Sequence, residues 1–213
     1  MPGLQTPGLP PAFTICGIPM VTRILGWGTG WRSSMNRYIA ALTEAMTWVA
    51  QQPGTLFVGQ SVAYPGTFMV PTLAQVPMTQ RLELPVCERF QLQFTLGLAL
   101  AGYTPISIYP RQNFLFLALS ELVHVLDVLP QLSQGTSHPR LLIRTASGPS
   151  VPVHPGPQHV GHYAAIFRQL CTSIRVVDLS TPEMILPAYH AALTDEPAAI
   201  TLLLENGNAY ALP

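Results

Sequence analysis

Lysine is missing from this sequence: all ten basic residues are arginine. Ten aspartates and glutamates balance them, and the formal net charge is zero. With neither a net positive charge nor a basic cluster, the chain lacks the electrostatic footprint of a nucleic-acid binder. Charge of either sign is scarce, at 9% of residues against about a quarter in ordinary globular chains. So few charges leave too little polar cover for a free-standing monomer, and large interfaces with other subunits are expected. Cysteine is limited to Cys16, Cys87 and Cys171, odd in number and far apart. They fit a reducing compartment better than a disulfide framework or a paired metal site. No basic segment followed by an apolar run opens the chain, and a cytoplasmic location is the expectation. The most apolar stretch, 114–129, is interrupted by Ser120, Glu121, His124 and Asp127. It reads as a buried helix, not a membrane span.

Proline and glycine are plentiful, with 22 and 16 residues of 213. Residues 1–32 are crowded with both and read as an extended arm. Their Gly28-Thr29-Gly30 lacks the strand–loop–helix setting of a phosphate loop. Residues 33–213 suffice for one domain with a real core. Ser33 or Ser34 is placed to cap a helix whose apolar stripe is Met35, Tyr38, Ile39, Leu42, Met46 and Val49. Pro53-Gly54 stops it. Short Val/Ile/Leu-rich strands at 55–58, 105–109, 140–144, 174–178 and 198–204 alternate with helical segments, while 64–83 reads as a loop. That alternation predicts a doubly wound α/β fold, a mainly parallel sheet with helices on both faces. Ligand sites in such sheets lie at the carboxyl ends of strands. Gln60, Glu88, Asn113-Phe114 and the Gly/Pro-rich segment 147–162 all follow or flank predicted strands, so one crevice is expected to gather them.

Glu88 draws attention first. A carboxylate at the mouth of a mostly apolar helix is partly desolvated, which favours its holding or sharing a proton. The plain alternative is a first-turn acid satisfying free helix amides. Asn113 is placed to cap the next helix, and Phe114 reads by itself as core. His154, His159 and His162 share one long loop, but no cysteine or carboxylate is interleaved and their spacing matches no common zinc site.

The order of motifs adds to this reading. Val86-Cys87-Glu88, then Leu96-Gly97-Leu98-Ala99-Leu100-Ala101-Gly102-Tyr103-Thr104-Pro105-Ile106, then Asn113-Phe114, Gln158-His159 and Leu204-Glu205-Asn206 resemble the transketolase-like, pyrimidine-binding domain of thiamine-diphosphate enzymes. The likeness spans about 38–210 and is nearest to the β-subunits of the decarboxylating component of 2-oxo-acid dehydrogenases. It implies that Glu88 hydrogen-bonds the cofactor's aminopyrimidine, that Phe114 walls the ring, and that Gln60 faces the cofactor. It further implies that His159 serves proton transfer on a 2-oxo acid.

The same resemblance implies a partner. The diphosphate and its Mg²⁺ are held in that family by a Gly-Asp-Gly and a distant Asn, and no Gly-Asp-Gly occurs here. No metal ligand is assigned to this chain. An α-like, diphosphate-binding subunit and self-association into a dimer are therefore expected. Two departures stand out. Gln60 replaces an acid that relays protons between sites in the family, and the family's C-terminal domain is missing after 213. A split transketolase-like enzyme, a 2-oxo-acid decarboxylase subunit and a non-catalytic interaction module remain the alternatives.

Overall fold

The computed structural model describes residues 36–150, 154–197 and 199–211. The expected arm, Ser33, Ser34 and Met35 lie outside them. Helix α1 (Arg37–Ala50) is capped by Asn36, whose side chain accepts from the Tyr38 and Ile39 amides. That corrects the expected serine cap: the first free helix amides sit two and three residues beyond Asn36. Tyr38, Leu42, Met46 and Val49 are buried as the helical period requires. Gly54 then turns the chain with φ 73°.

Six parallel strands follow: β1 (Thr55–Gly59), β2 (Arg81–Glu83), β3 (Thr104–Tyr109), β4 (Leu141–Ala146), β5 (Arg175–Leu179) and β6 (Ile200–Glu205). Their order is β2-β1-β3-β4-β6-β5. Alternate residues of β4 and β6 serve opposite faces. Leu142, Ala146 and Leu203 join α1 and α7 (Pro182–Thr194) in one core. Leu141, Ile143, Leu202 and Leu204 join α2 (Glu88–Leu100) and α6 (Ala164–Leu170) in the other. The doubly wound α/β expectation holds.

Strand β2 falls inside the segment read as a loop. It has three residues, and its middle side chain, Leu82, is exposed. It exists because its backbone completes the open edge of β1, in register Phe57↔Arg81 to Gly59↔Glu83, not because its side chains are buried.

The expected single helix after β3 is also revised. The run Gln112–Leu132 comprises α3 (Gln112–Leu115), a 3₁₀ turn, α4 (Leu119–Glu121), a π turn at Leu122–Leu126 and α5 (Leu129–Leu132). By length and composition it could cross a membrane, yet Leu115, Ala118, Leu122 and Leu126 are buried in the second core. Tight and wide turns alternate to keep those four over the sheet. Asn113 is not the cap of α3. Arg111 holds that position, and Asn113 donates instead to the Tyr163 hydroxyl at 3.2 Å.

Candidate functional site

The chain passes from β1 to β2 on one side, then returns past β1 to β3 on the other. That reversal opens a crevice at the carboxyl ends of β1 and β3, where parallel sheets of this kind bind ligands. A cavity of about 330 Å³ lies there, lined by Gln60, Ser61, Gly66, Thr67, Phe68, Pro110, Arg111 and Phe114.

Gln60 leaves β1 directly, behind Gly59. A methyl group at Gly59 would meet the Ile108 carbonyl oxygen at 2.4 Å and the Gln91 amide nitrogen at 3.2 Å. The bare glycine therefore lets α2 close on the sheet. Gln91, fully buried, donates to the Ile108 carbonyl at 2.9 Å and to Ser107 Oγ at 3.2 Å. Tyr109 Oη donates to the Glu88 carbonyl at 3.1 Å. Burial pushes that phenol far above its ordinary value, keeping it a donor. These bonds fix the first turn of α2, and with it Glu88.

Glu88 is 8% exposed, and its Oε1 faces Gln60 Nε2 at 3.4 Å. That is long for an N–H···O bond, and the other carboxylate oxygen accepts from no described residue. Phe114 meets the His159 ring edge-to-face, centroids 5.9 Å apart. His159 Nδ1 is buried with no hydrogen-bond partner among the described residues. The structure thus joins the four residues in pairs. Gln60 and Phe114 both line the cavity, Glu88 adjoins it through Gln60, and His159 through Phe114.

The three loop histidines do not converge. His154 Nδ1 accepts from the Gly156 amide at 3.0 Å, and His162 faces Asp178 at 3.2 Å on the surface. Among the described residues no group of three or more His, Cys, Asp or Glu side chains is placed to hold a metal.

Sequence reasoning missed Glu83. Its carboxylate accepts from three consecutive amides, Ser61 at 2.6 Å, Val62 at 2.8 Å and Ala63 at 2.8 Å. Ser61 takes the left-handed conformation, φ 54°, to point its amide that way. Such a conformation costs about 1 kcal/mol in a non-glycine residue, and the charge-assisted bonds offset it. Arg111 was missed too, although an arginine directly after the proline that ends a buried strand was a usable signal.

No family model matches this chain, and no curated protein matches it. Solved structures do. One similar chain is described as a split-gene transketolase, an inactive β4 tetramer. It shares 13% identity, a TM-score of 0.53, 78% of this chain and 50% of its own length. This chain therefore shares its fold with part of that protein and spans half of that protein's length. The fold is widely used, with 187 matching chains, so chemistry has to be argued from the site.

Proposed function

We propose that this chain is the pyrimidine-binding subunit of a split, transketolase-like thiamine-diphosphate enzyme, working beside a separate diphosphate-binding subunit. The observation that carries it is the clustering of Glu88, Gln60, Phe114 and His159 at one reversal point of the sheet. The residues fit the pyrimidine end of the cofactor. Glu88 offers a carboxylate oxygen with no donor among the described residues, Phe114 an aromatic wall worth about 1 kcal/mol, and the cavity has room for a heteroaromatic ring. They offer nothing for the diphosphate end, which falls to the partner with Mg²⁺.

When bound, thiamine diphosphate supplies the electron sink for cleaving the bond next to a carbonyl. The chain's own residues do the rest. Glu88 would offer its second carboxylate oxygen to the ring nitrogen of the cofactor as the partner with which a proton is shared. Gln60 orients that carboxylate without competing for its proton, since an amide does not titrate. His159 gives or takes a proton on the substrate side of Phe114. The neighbour described as a split-gene transketolase favours a carbonyl-transferring reaction over the oxidative decarboxylation of 2-oxo-acid dehydrogenases. Decarboxylation of a 2-oxo acid remains within this chemistry.

Exposed apolar side chains support assembly. Val86 is 78% and Phe90 46% exposed at the start of α2, and Leu117 nearby is 60% exposed. Phe90 stacks on Phe94 with centroids 5.7 Å apart. We read this face as covered by another subunit, and the chain alone as inactive. Gln60 favours the second reading, a non-catalytic module of the same fold.

The test is co-purification from native cells, then turnover of the complex. A partner bearing Gly-Asp-Gly is expected, and Glu88→Gln should lower turnover at least about 100-fold. A chain that stays alone with thiamine diphosphate and Mg²⁺, or a Glu88→Gln complex with unchanged turnover, defeats the enzyme reading.

A further inference from the structure

The guanidinium of Arg111 has no partner among the described residues. Of the other described arginines, Arg37, Arg89, Arg140, Arg144 and Arg175 pair with Glu183, Glu121, Glu196, Glu205 and Asp195. Arg81 donates to the carbonyls of Val62, Leu73 and Val76, and Arg168 is exposed. The Arg111 guanidinium alone is half-buried with neither an ion pair nor a hydrogen bond to a described residue, its backbone carbonyl accepting from the Phe114 amide at 3.0 Å. Burial lowers its pKa from the ordinary value, but a guanidinium stays charged at any physiological pH. An unpaired, partly desolvated charge is costly unless something arrives to pair with it.

Arg111 is the one charged residue among those lining the cavity. No aspartate or glutamate lines it. Glu83 is spent on three amides, and Glu88 stands behind Gln60 without lining the cavity, one of its oxygens kept for the ring proposed above. Ser61 and Thr67 also line the cavity, and neither hydroxyl is spent on a hydrogen bond to a described residue. A planar guanidinium fork and two hydroxyl residues lining one cavity suit a planar or tetrahedral oxyanion group. We propose that Arg111 recognises a carboxylate or phosphate on the ligand that enters beside Phe114. Calling that ligand the substrate rests on the function proposed above; capture of the anion does not.

The full-length chain labelled with ¹⁵N tests this through its arginine Nε resonances. It is titrated separately with pyruvate, with inorganic phosphate and with chloride at matched ionic strength. One resonance, absent from the Arg111→Gln spectrum, should move saturably while the other arginines hold still. Saturation by pyruvate alone identifies a carboxylate ligand, by phosphate alone a phosphorylated one, and by both a site reading only the oxyanion. Arg111→Lys keeps the charge without the fork and, titrated by calorimetry beside the parent chain, should bind roughly tenfold more weakly; it also assigns the resonance if Arg111→Gln does not fold. No saturable movement, the same movement with chloride, or equal affinity in Arg111→Lys overturns the proposal. If the Glu88→Gln complex turns over normally while the Arg111 titration persists, the cofactor reading falls and the anion site stands.

Discussion

The side-chain amide of Gln60 stands 3.4 Å from Oε1 of Glu88, so a neutral donor occupies a place where a second carboxylate would share a proton. Gln60→Glu creates that pair. Two carboxylates this close do not both ionise freely, and one folded-state pKa rises above its unfolded value of about 4.3. A raised acid favours folding only while it is protonated, so stability should fall as pH climbs between the unfolded and folded values. Urea midpoints of variant and parent should agree near pH 4 and differ by about 1 kcal/mol or more at pH 7. Parallel curves across that range would show that the two side chains do not sense each other.

Arg144 and Glu205 are both fully buried, with Nε and Oε1 2.5 Å apart. Thr72 accepts from the guanidinium at 2.8 Å, and the Tyr210 hydroxyl donates to the carboxylate. Burial works against the Arg144 charge, but Glu205 outweighs it and raises the arginine pKa. Arg144→Met strands the carboxylate and should cost about 3–5 kcal/mol in denaturant melts. Adding Glu205→Met should recover part of that loss, because the apolar pair removes the stranded charge. A double variant as unstable as the two single losses summed would refute the coupling.

Asp127 is buried after the π turn and accepts from the Thr172, Ser173 and Ile174 amides at 2.8–2.9 Å. Burial raises its carboxyl, the amide bonds lower it, and the balance is a lowered pKa. A lowered acid stabilises the fold above its unfolded value, about 3.9, and that stability is lost as pH falls through the folded value. Asp127→Asn should cost about 2 kcal/mol at neutral pH and flatten the acid limb of the stability profile. An unchanged acid limb would remove Asp127 from the account.

Gly59→Ala places a methyl against the Ile108 carbonyl, on backbone with little freedom to yield. A loss of about 1–3 kcal/mol is expected, with chemical-shift changes reaching Gln60 and Gln91. A neutral substitution would mean that β1 and β3 slide apart easily.

The parts of this architecture that repeat locally were legible. Tyr38, Leu42, Met46 and Val49 announce α1, and buried strands such as Leu202-Leu203-Leu204 announce the sheet. The positions of Gln60, Glu88, Phe114 and the 147–162 segment beside predicted strands pointed to one crevice, and Gln60 and Phe114 do line one cavity, with Glu88 and His159 adjoining it. What stayed hidden depends on partners distant in sequence. Glu83 reaches back to amides 20–22 residues earlier, Asn113 reaches 50 residues forward to Tyr163, and β2 is defined by the edge it meets. Helix caps were misplaced because Ser34 and Asn36 are equally good candidates until the first helical turn is seen.

The loop that carries His159 is moored at its start by residues made much later. Ser147 Oγ accepts from the Gly207 amide at 2.9 Å, and Asn208 Oδ1 accepts from the Ser150 amide at 2.8 Å. At Gly207 a methyl would come within 1.8 Å of the Ser147 carbonyl oxygen, and at Gly148 one would come within 1.4 Å of the His159 carbonyl oxygen. On the ribosome, therefore, the histidine side of the crevice cannot be moored until residues 207 and 208 emerge. A stalled or shortened product would carry half a site, able to expose the pocket without the group that closes it.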